Sequence, residues 1–361
     1  MATLKRIIHF KLQSIGFFEV FLQVLFKGNP SLYQEFWFLK EAENSRPSPI
    51  PVRSFSNLLR LWFCEDVKKF DLIHVHFGTN ALLVIPLVLR SRLPLVVSFY
   101  GYDVNAFPSK WFGLGGSLLK LVFRSATKLI AMSQPMAERL VELGAEKSKI
   151  EILLPGIQNL AFTKEPVKKI ERLLMVSALK EKKNHLLVLE AMKLLLGRGI
   201  DIRLSIVGHG PLLESLKSIA SDFGLDEQVN FEGSYREINE LAQYLKNSDL
   251  LLHPSKRACN GDGEGVPASI LEGLSVGMPI ISSKHNQMDR VFKNSVLYVD
   301  ENSPEELAQL LQNICNDPES LHEWQKNALQ WSDQNLNTSI LERDRLEIYR
   351  SAYEESQRNI L

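Results

Sequence analysis

Residues 250–282 read LLLHPSKRACNGDGEGVPASILEGLSVGMPIIS, and this stretch decides the fold class. Apolar runs at Leu250–His253 and Pro279–Ser282 show no period-two alternation, which is typical of parallel strands buried on both faces. Between them lie a glycine-rich polar loop and a segment of helical character. We expect this helix to run to about Val276, with Pro267 in its first turn, where the missing proline N–H costs no helical hydrogen bond. The stretch therefore predicts a strand–helix–strand unit of an α/β fold.

The same alternation extends over nearly the whole chain and occurs twice. Short β-rich runs recur between stretches with helical spacing, such as His185–Arg198 and Pro304–Ile314. The predicted strands are Arg6–Phe10, Leu72–His76, Pro94–Phe99, Lys128–Ala131 and Ile150–Leu154 in the first set, and Leu173–Val176, Ile202–Val207, Val229–Glu232, Leu250–His253 and Pro279–Ser282 in the second. We expect two doubly wound, Rossmann-like domains with parallel sheets.

A polar segment rich in turn-forming residues separates the two sets. It begins at Pro155-Gly156 and continues through Thr163–Lys169 without hydrophobic periodicity. The sequence therefore predicts an N-terminal domain over residues 1–160 and a second domain over 161–335. Residues 336–361 form a C-terminal segment, which belongs to a tail of two polar predicted helices.

Composition excludes several classes of protein. The 361 residues include 42 basic and 42 acidic side chains, and the three scattered cysteines predict neither a disulfide framework nor a zinc site. The neutral total argues against a dedicated nucleic-acid-binding protein. It also hides an asymmetry, because residues 1–150 carry 19 Lys/Arg against 11 Asp/Glu and residues 151–361 carry 23 against 31. A basic first half indicates an anionic partner, such as a phosphate-rich ligand or a membrane surface.

Membrane-spanning segments are not predicted, since the longest strongly apolar run, Ala81–Leu89, has nine residues and contains a proline. The first residues lack the features of a cleavable signal, so a cytoplasmic protein is expected. Residues 108–128 mix bulky apolar side chains with lysine and arginine, a composition typical of a helix that lies on an anionic membrane. An ordinary amphipathic helix packed on its own sheet explains this pattern equally well. Asn57–Lys69 is a second, weaker candidate for membrane contact.

The loop before Pro267 carries the residues that suggest chemistry. Free N–H groups and the dipole at the helix start favour a phosphate, and Gly265 lets the backbone approach a ligand closely. Glu264 and Glu272 are spaced to contact the sugar and the ribose of one extended nucleotide-sugar. A solvent-exposed loop with incidental glutamates remains an alternative. A calcium-binding EF-hand loop fits poorly, because its twelfth position would be Leu271 rather than glutamate.

Glu264-Gly-Val-Pro, four residues and Glu272 resemble the signature of retaining family 4 glycosyltransferases of the GT-B fold. Further family-like pieces follow in the right order, and the His-Phe-Gly and Gly-Asp-Gly-Glu-Gly pieces look most like the exopolysaccharide, colanic acid and O-antigen branch. These pieces are His74-Val-His-Phe-Gly78, Ser98-Phe-Tyr-Gly-Tyr-Asp103, Ser133-Gln-Pro-Met-Ala, Pro155-Gly-Ile157, Ala178-Leu-Lys-Glu-Lys-Lys-Asn184, Val207-Gly-His-Gly-Pro211 and His253-Pro-Ser255.

The resemblance implies a two-domain enzyme of cell-surface polysaccharide biosynthesis. Such an enzyme moves a sugar from a nucleotide-sugar to a saccharide acceptor, expected here to be lipid-linked, and retains the anomeric configuration. The N-terminal domain would bind the acceptor, the second domain the donor, and the C-terminal helix would return to the first domain. Neither a metal nor another cofactor is expected, and the protein would act in the cytoplasm or at the inner face of the plasma membrane.

Individual roles follow from the same resemblance. The expected catalytic residues are Glu264, Lys183, Tyr100 and Asp103. The expected donor-binding residues are Gly16, Ser133, Lys183, Gly208, His209, Asp262, Glu264, Gly265, Val266, Pro267 and Glu272. The expected acceptor-binding residues are His76 and Gly78. Lys182 precedes Lys183, and the sequence leaves open which of the two corresponds to the phosphate-binding lysine of the family.

Two positions depart from the family pattern. Ala178 stands where the family has an arginine that binds the diphosphate. Tyr100 stands where the family has a histidine near the reaction centre. These departures leave open a catalytically weak scaffold that binds a nucleotide-sugar or a partner enzyme. A sugar-nucleotide epimerase is a further alternative. A dinucleotide oxidoreductase is disfavoured, because no Gly-x-Gly-x-x-Gly motif follows Arg6–Phe10.

Overall fold

The structure is a computed structural model that describes residues 6–11, 35–40, 49–51, 67, 70–158 and 160–358, the first three segments as backbone only. Gly16 lies outside the described residues, as does nearly all of the second membrane candidate, Asn57–Lys69. The chain divides into two compact units. The first comprises Met1–Leu153 and Glu342–Leu361, and the second comprises Leu154–Leu341.

The first unit contains a sheet in which seven described strands follow the order β3-β2-β1-β4-β5-β6-β7. The strands are β1 (Arg6–Lys11), β2 (Glu35–Lys40), β3 (Pro49–Pro51), β4 (Leu72–His76), β5 (Leu95–Ser98), β6 (Lys128–Ala131) and β7 (Ile150–Ile152). β1 and β4–β7 pair in parallel, whereas β2 and β3 add an antiparallel edge. The strand order reverses between β1 and β4, a topology that places loops from both strands at one carboxyl edge.

The second unit contains a sheet whose six described strands are all parallel, in the order β10-β9-β8-β11-β12-β13. The strands are β8 (Arg172–Val176), β9 (Arg203–Val207), β10 (Val229–Gly233), β11 (Leu250–His253), β12 (Ile280–Ser283) and β13 (Leu297–Val299). β8, β11 and β12 are buried along almost their whole length, as their unbroken apolar runs require. The order reverses between β8 and β11, and open α/β sheets bind ligands at such a point.

Twelve helices are described between and after these strands. They are α1 (Gly78–Ser91), α2 (Tyr102–Asn105), α3 (Leu114–Ser125), α4 (Gln134–Glu142), α5 (His185–Gly197), α6 (Leu213–Asp222), α7 (Ile238–Asn247), α8 (Ala268–Ser275), α9 (Met288–Phe292), α10 (Pro304–Asn316), α11 (Leu321–Asn335) and α12 (Thr338–Arg358). α12 starts in the second unit, and its residues from Glu342 onward belong to the first. Both helices predicted in the tail are present.

The expected α/β architecture and all ten predicted strands are confirmed, with ends that shift by at most two residues. β2, β3 and β13 were not predicted. Pro267 was wrongly predicted inside the first turn, since it has extended backbone and precedes α8 as its N-cap. The division of the chain falls at 153/154 and 341/342, whereas the sequence suggested 160/161 and 335/336.

α3 and the turn before it occupy the predicted membrane-contacting segment. Leu119, Val122 and Phe123 pack into the first unit, while Phe112 and Leu114 are exposed. The segment is therefore both an amphipathic helix packed on its own sheet and the carrier of an exposed apolar strip. No helix among the described residues combines the length and the hydrophobicity needed to cross a bilayer.

Candidate active site

A cavity of about 390 Å³ lies in the second unit, at the carboxyl ends of β8 and β9 and the N-terminus of α8. Four of the predicted donor-binding residues line it, namely Lys183, Gly208, His209 and Glu272. The other lining residues are Val176, Ser177, Ala178, Val207, Ser234, Tyr235, Ala268 and Ser269. The cavity thus occupies the point of sheet reversal at which a nucleotide is expected.

Close approach of two backbone segments shapes one wall of this cavity. A Cβ atom on Gly208 would lie 1.8 Å from the carbonyl oxygen of Ser177, which is far inside van der Waals contact. Only glycine therefore allows the loop after β9 to pack against the loop after β8. Ala178 follows Ser177 on this wall, so a methyl group stands where the family pattern has an arginine.

Lys183 is held at the cavity by its local backbone. It ends the short 3₁₀ turn Glu181–Lys183, and the next residue, Asn184, takes a left-handed φ of 59°, which asparagine adopts more readily than most residues. The Asn184 side-chain amide donates a hydrogen bond of 2.8 Å to the carbonyl oxygen of Glu301. This anchor fixes the turn and directs Lys183 toward the cavity.

Two lysines and two acidic residues form a buried ionic cluster beside the cavity. The Lys183 Nζ lies 2.9 Å from Oε1 of Glu264, and the Lys182 Nζ lies 3.2 Å from Oδ2 of Asp262. Asp262 and Glu264, whose spacing resembles the start of an EF-hand loop, are thus each paired with a lysine. Of the two lysines, Lys183 lines the cavity, whereas Lys182 pairs with Asp262 of the loop.

The cluster determines the ionisation of Glu264. Burial alone would raise the pKa of this carboxyl, but the charges of Lys183 and Lys182 outweigh burial and lower the pKa to about 2. Burial lowers the pKa of Lys183, and the Glu264 carboxylate opposes that shift. Glu264 is therefore ionised at neutral pH, and its carboxylate favours the charged form of Lys183 beside the cavity.

His253, at the end of β11, was not among the predicted site residues. Its Nε2 lies 3.4 Å from the Lys183 Nζ, and its Nδ1 lies 3.1 Å from the Ser269 Oγ. Burial and the charge of Lys183 lower the pKa of His253 to about 3, so the ring is neutral. An ammonium can only donate, which makes Nδ1 the protonated nitrogen and the donor to Ser269. The Ser269 hydroxyl hydrogen can then be directed at a ligand in the cavity.

Two further histidines lie near this cluster although no motif pointed to them. Burial lowers the pKa of His185 and of His285 to about 4 in each case, and the charge of Lys183 adds to the effect at His185. Within the described residues, Nδ1 of His185 and Nε2 of His285 have no hydrogen-bond partner. Asn286, next to His285, donates to the carbonyl oxygen of Glu264 at 2.6 Å and so fixes the backbone of that residue.

The N-terminus of α8 completes the cavity wall. The amides of Ala268, Ser269 and Ile270 have no acceptor within the helix, because they belong to its first turn. Ala268 and Ser269 line the cavity, whereas Gly265, Val266 and Pro267 form the extended segment that leads to it. Burial raises the pKa of Glu272, which faces the cavity from inside the helix. The arrangement suits a phosphate at the helix start with a hydroxyl-rich group beside Glu272.

In the first unit, Asp103 organises the carboxyl edge of the sheet. Its Oδ2 accepts a hydrogen bond of 2.8 Å from the Gly78 amide, and its Oδ1 accepts bonds of 3.0 and 3.1 Å from the amides of Tyr100 and Gly101. The carboxyl is fully buried, and burial raises its pKa to about 6 against the opposing effect of these amides. Asp103 thus organises the backbone around Tyr100.

His76 and Tyr100 form a contact pair at the same edge. The Tyr100 hydroxyl hydrogen-bonds Nδ1 of His76, and the Tyr100 ring packs against Phe77 with 4.5 Å between centroids. Burial, followed by the charge of Asp103, raises the pKa of Tyr100, so the phenol is protonated at neutral pH. Gly78 is required by packing as well, because a Cβ there would lie 2.3 Å from Cε1 of Phe99.

Ser133, a predicted donor-binding residue, has a structural task. It is the N-cap of α4, and its Oγ accepts a hydrogen bond of 3.3 Å from the Met136 amide. Its residue surface is 7% exposed. The Ser133 Oγ that was predicted to contact the donor therefore already accepts a hydrogen bond as a helix cap.

Two family models match the chain in succession. The Glycosyltransferase Family 4 model matches residues 24–158, and the Glycosyl transferases group 1 model matches residues 157–331. The two matches overlap at residues 157–158, a few residues after the start of the second compact unit at Leu154.

Curated relatives are similar over most of the chain. WcaL of Escherichia coli K12, named as a glycosyltransferase of colanic acid biosynthesis, is 26% identical over 301 residues, which are 80% of this chain and 73% of that protein. An E. coli UDP-Gal:alpha-D-GlcNAc-diphosphoundecaprenol alpha-1,3-galactosyltransferase is 26% identical over 261 residues. That match covers 67% of this chain and 65% of the relative, so the chain spans slightly less than two thirds of its length.

Among solved structures, HepE of Anabaena in complex with UDP has a TM-score of 0.70 at 17% identity, with 82% of each chain covered. At this identity the likeness establishes the fold. It places the chain among structures built from two Rossmann-like domains.

Proposed function

The chain carries the two domains of a group 1/family 4 glycosyltransferase with the GT-B fold, and on that premise we propose that it transfers a sugar from a nucleotide-sugar to a saccharide acceptor with retention of the anomeric configuration. The observation that carries the proposal is the Lys183–Glu264 ion pair, 2.9 Å long, beside the cavity of the second unit. A buried ammonium next to a helix N-terminus that can bind a phosphate stabilises the negative charge on a departing diphosphate.

The donor is proposed to be a nucleoside-diphosphate sugar bound in that cavity. Glu272 would accept hydrogen bonds from the ribose hydroxyls, and the first-turn amides of α8 would receive the diphosphate. Tyr235 and His209 offer ring surfaces at the cavity mouth for a base. The solved complex of HepE with UDP supports a uridine nucleotide as the first donor class to test.

Transfer is proposed to depend on the leaving diphosphate. As the bond from the anomeric carbon to the phosphate oxygen breaks, negative charge develops on the diphosphate and Lys183 stabilises it. The acceptor hydroxyl attacks the same face of the sugar and gives its proton to the departing phosphate oxygen. We propose that this route needs neither a protein base nor a metal, so a chelator leaves the rate unchanged.

The acceptor is proposed to be a lipid-linked saccharide of cell-surface polysaccharide biosynthesis, bound by the basic first unit. The name of the E. coli galactosyltransferase relative specifies a diphosphoundecaprenol acceptor, which is anionic and membrane-embedded. The apolar strip around Phe112 and Leu114, with Lys110, Lys120 and Arg124 nearby, would then contact an anionic bilayer.

Vesicle flotation tests the membrane contact. Replacing Lys110, Lys120 and Arg124 by glutamine should weaken flotation with vesicles that contain anionic lipid, while zwitterionic vesicles serve as the control. Equal flotation of the variant and the wild type would contradict this part of the proposal.

A transfer assay tests the reaction itself. The full chain is incubated with a panel of nucleotide-sugars and diphospholipid-linked saccharides, and the anomeric configuration of the product is determined by NMR. We expect one donor to give a product that retains its configuration, in the presence or absence of chelator. An inverted product would overturn the proposed stereochemistry. Donor binding without transfer to any acceptor would favour the scaffold alternative raised by Ala178, and donor interconversion without acceptor would favour an epimerase.

A further inference from the structure

Five polar side chains meet at the carboxyl edge of the first sheet. They are His74, His76, Ser98, Tyr100 and Tyr349. The two histidines share one face of β4, Ser98 ends β5, and Tyr349 lies on α12, 275 positions from His74 in sequence. The fold thus brings a residue of the C-terminal helix to the edge at which Tyr100 lies.

His74 is the centre of this group. Its Nδ1 lies 2.7 Å from the Tyr349 hydroxyl, and its Nε2 lies 2.8 Å from the Ser98 Oγ. His74, Ser98 and Tyr349 are 3%, 6% and 2% exposed, so bulk water has almost no access to these bonds. Both hydrogen bonds are short and, in such surroundings, electrostatically strong.

The chemistry of imidazole gives the chain of bonds a direction. A neutral ring has one N–H donor and one acceptor nitrogen, so one hydroxyl donates to His74 and the other accepts from it. When the Tyr349 hydroxyl donates to Nδ1, Nε2–H donates to Ser98, and the Ser98 hydroxyl then donates onward. A phenylalanine at position 349 removes that donor and leaves the tautomer of His74 undetermined.

Ring packing links this chain to the predicted catalytic residue. The His74 ring packs on the His76 ring with 4.4 Å between centroids and 34° between planes. His76 in turn hydrogen-bonds the Tyr100 phenol. The Tyr100 hydroxyl is therefore oriented by His76, whose ring is packed on the His74 ring that Ser98 and Tyr349 hold.

We propose that Tyr349, His74 and Ser98 are positioning residues that fix the hydroxyl of Tyr100, and the His76 ring beside it, for sugar transfer. The inference rests on the proposed function only for its kinetic consequence. The alternative is an anchor that merely attaches α12 to the sheet, and such an anchor would not act selectively on Tyr100.

The kinetic test compares Tyr349→Phe with Tyr353→Phe. Tyr353 lies one turn further along α12, so the same hydroxyl is removed from the same helix. We expect Tyr349→Phe to lower kcat roughly 10-fold with KM changed less than about 2-fold, and Tyr353→Phe to change neither. In a Tyr100→Phe background, Tyr349→Phe should add less than about 2-fold, because its target is already absent. Additive losses in the double variant would overturn the proposal.

A second readout does not need activity. Side-chain 15N NMR of histidine-labelled full chain reports the tautomer of each ring. We expect Tyr349→Phe, and separately Ser98→Ala, to shift the resonances of His76, which neither side chain contacts in the hydrogen bonds described above, while Tyr353→Phe leaves them in place. Unchanged His76 resonances in both variants would overturn the inference. Shifted resonances in a chain without any transferase activity would uphold the network and reject the proposed function.

Discussion

The carboxyl edges of the two sheets each bury a carboxyl group, but with opposite results. Glu264, in the second unit, lies 2.9 Å from one ammonium and 4.0 Å from another, and its pKa falls to about 2. Asp103, in the first unit, accepts three amide hydrogen bonds, yet its pKa rises to about 6. Three backbone dipoles therefore do not offset the burial of a carboxylate, whereas full positive charges nearby do.

This contrast separates the chemistry of the two edges. The second unit presents a cation that is held charged by a buried anion, which suits the binding of phosphate. The first unit presents a protonated phenol and two imidazole rings, which suit a sugar hydroxyl.

The largest expected effect breaks the ion pair. Lys183→Met removes the cation beside the cavity, whereas Lys182 stays 4.0 Å from the buried Glu264 carboxylate. We expect transfer to fall roughly 100- to 1000-fold, as for removal of a group that stabilises charge in the transition state. Lys182→Met is the matched control, since this lysine pairs with Asp262, and it should cost about 10-fold or less. Equal losses in kcat for the two variants would contradict the assignment of Lys183.

The second prediction uses the opposite pKa shifts. The pKa of His185 is lowered from 6.5 to about 4 on folding, so its contribution to stability is present above pH 6.5 and is lost as pH falls toward 4. The pKa of Asp103 is raised from 3.8 to about 6, so its contribution is present below pH 3.8 and is lost as pH rises through 6. Each shift corresponds to on the order of 3 kcal/mol.

Chemical denaturation of the full chain between pH 4 and 7 measures how the free energy of unfolding changes with pH, and so tests both predicted directions. His185→Gln should flatten the rise of the unfolding free energy with pH, because one group that loses stability in acid is gone. Asp103→Asn should steepen the rise, because a group with the reverse dependence is gone. The same change of slope in both variants would be inconsistent with the contrast drawn here.

A third comparison concerns the two glycines that packing requires, Gly208 and Gly78. Gly208→Ala drives a methyl group into the Ser177 carbonyl, 1.8 Å away, and backbone cannot yield easily, so a loss of about 3 kcal/mol or more in unfolding free energy is expected. Gly78→Ala meets the edge of the Phe99 ring at 2.3 Å, and a ring can shift slightly, so a loss of about 1–3 kcal/mol is expected. Thermal unfolding shows which variant loses more stability. A larger loss for Gly78→Ala than for Gly208→Ala would contradict this prediction.

Local pattern predicted most of the fold. Strands such as Leu72–His76 and Leu250–His253 were identified with their final bounds, because unbroken apolar runs report burial on both faces. β13 was missed because three residues carry no period. The antiparallel strand Glu35–Lys40, which lies between β1 and β3, was missed although it contains the apolar run Phe36–Leu39.

The candidate site was predictable only where a motif carried it. Glu264 and Glu272 were found through their spacing and Lys183 through the family resemblance, and the structure brings Glu264 and Lys183 together. The site contacts of His253 and Tyr349 were not predicted, because their partners lie 70 and 275 positions away, and no local pattern reports such contacts. The burial of Asp103 and its three amide bonds likewise depend on tertiary structure.

Binding of nucleotide-sugars to the full chain tests the central claim most directly. Isothermal titration with a panel of nucleotide-sugars compares the wild type with Glu272→Ala, which alters the cavity, and with Glu323→Ala, an exposed glutamate of α11 outside it. We expect at least one nucleotide-sugar to bind, and Glu272→Ala to weaken it about 10- to 100-fold through the loss of charge-assisted hydrogen bonds, while Glu323→Ala has no effect. An affinity unchanged by Glu272→Ala would contradict the placement of the donor in this cavity.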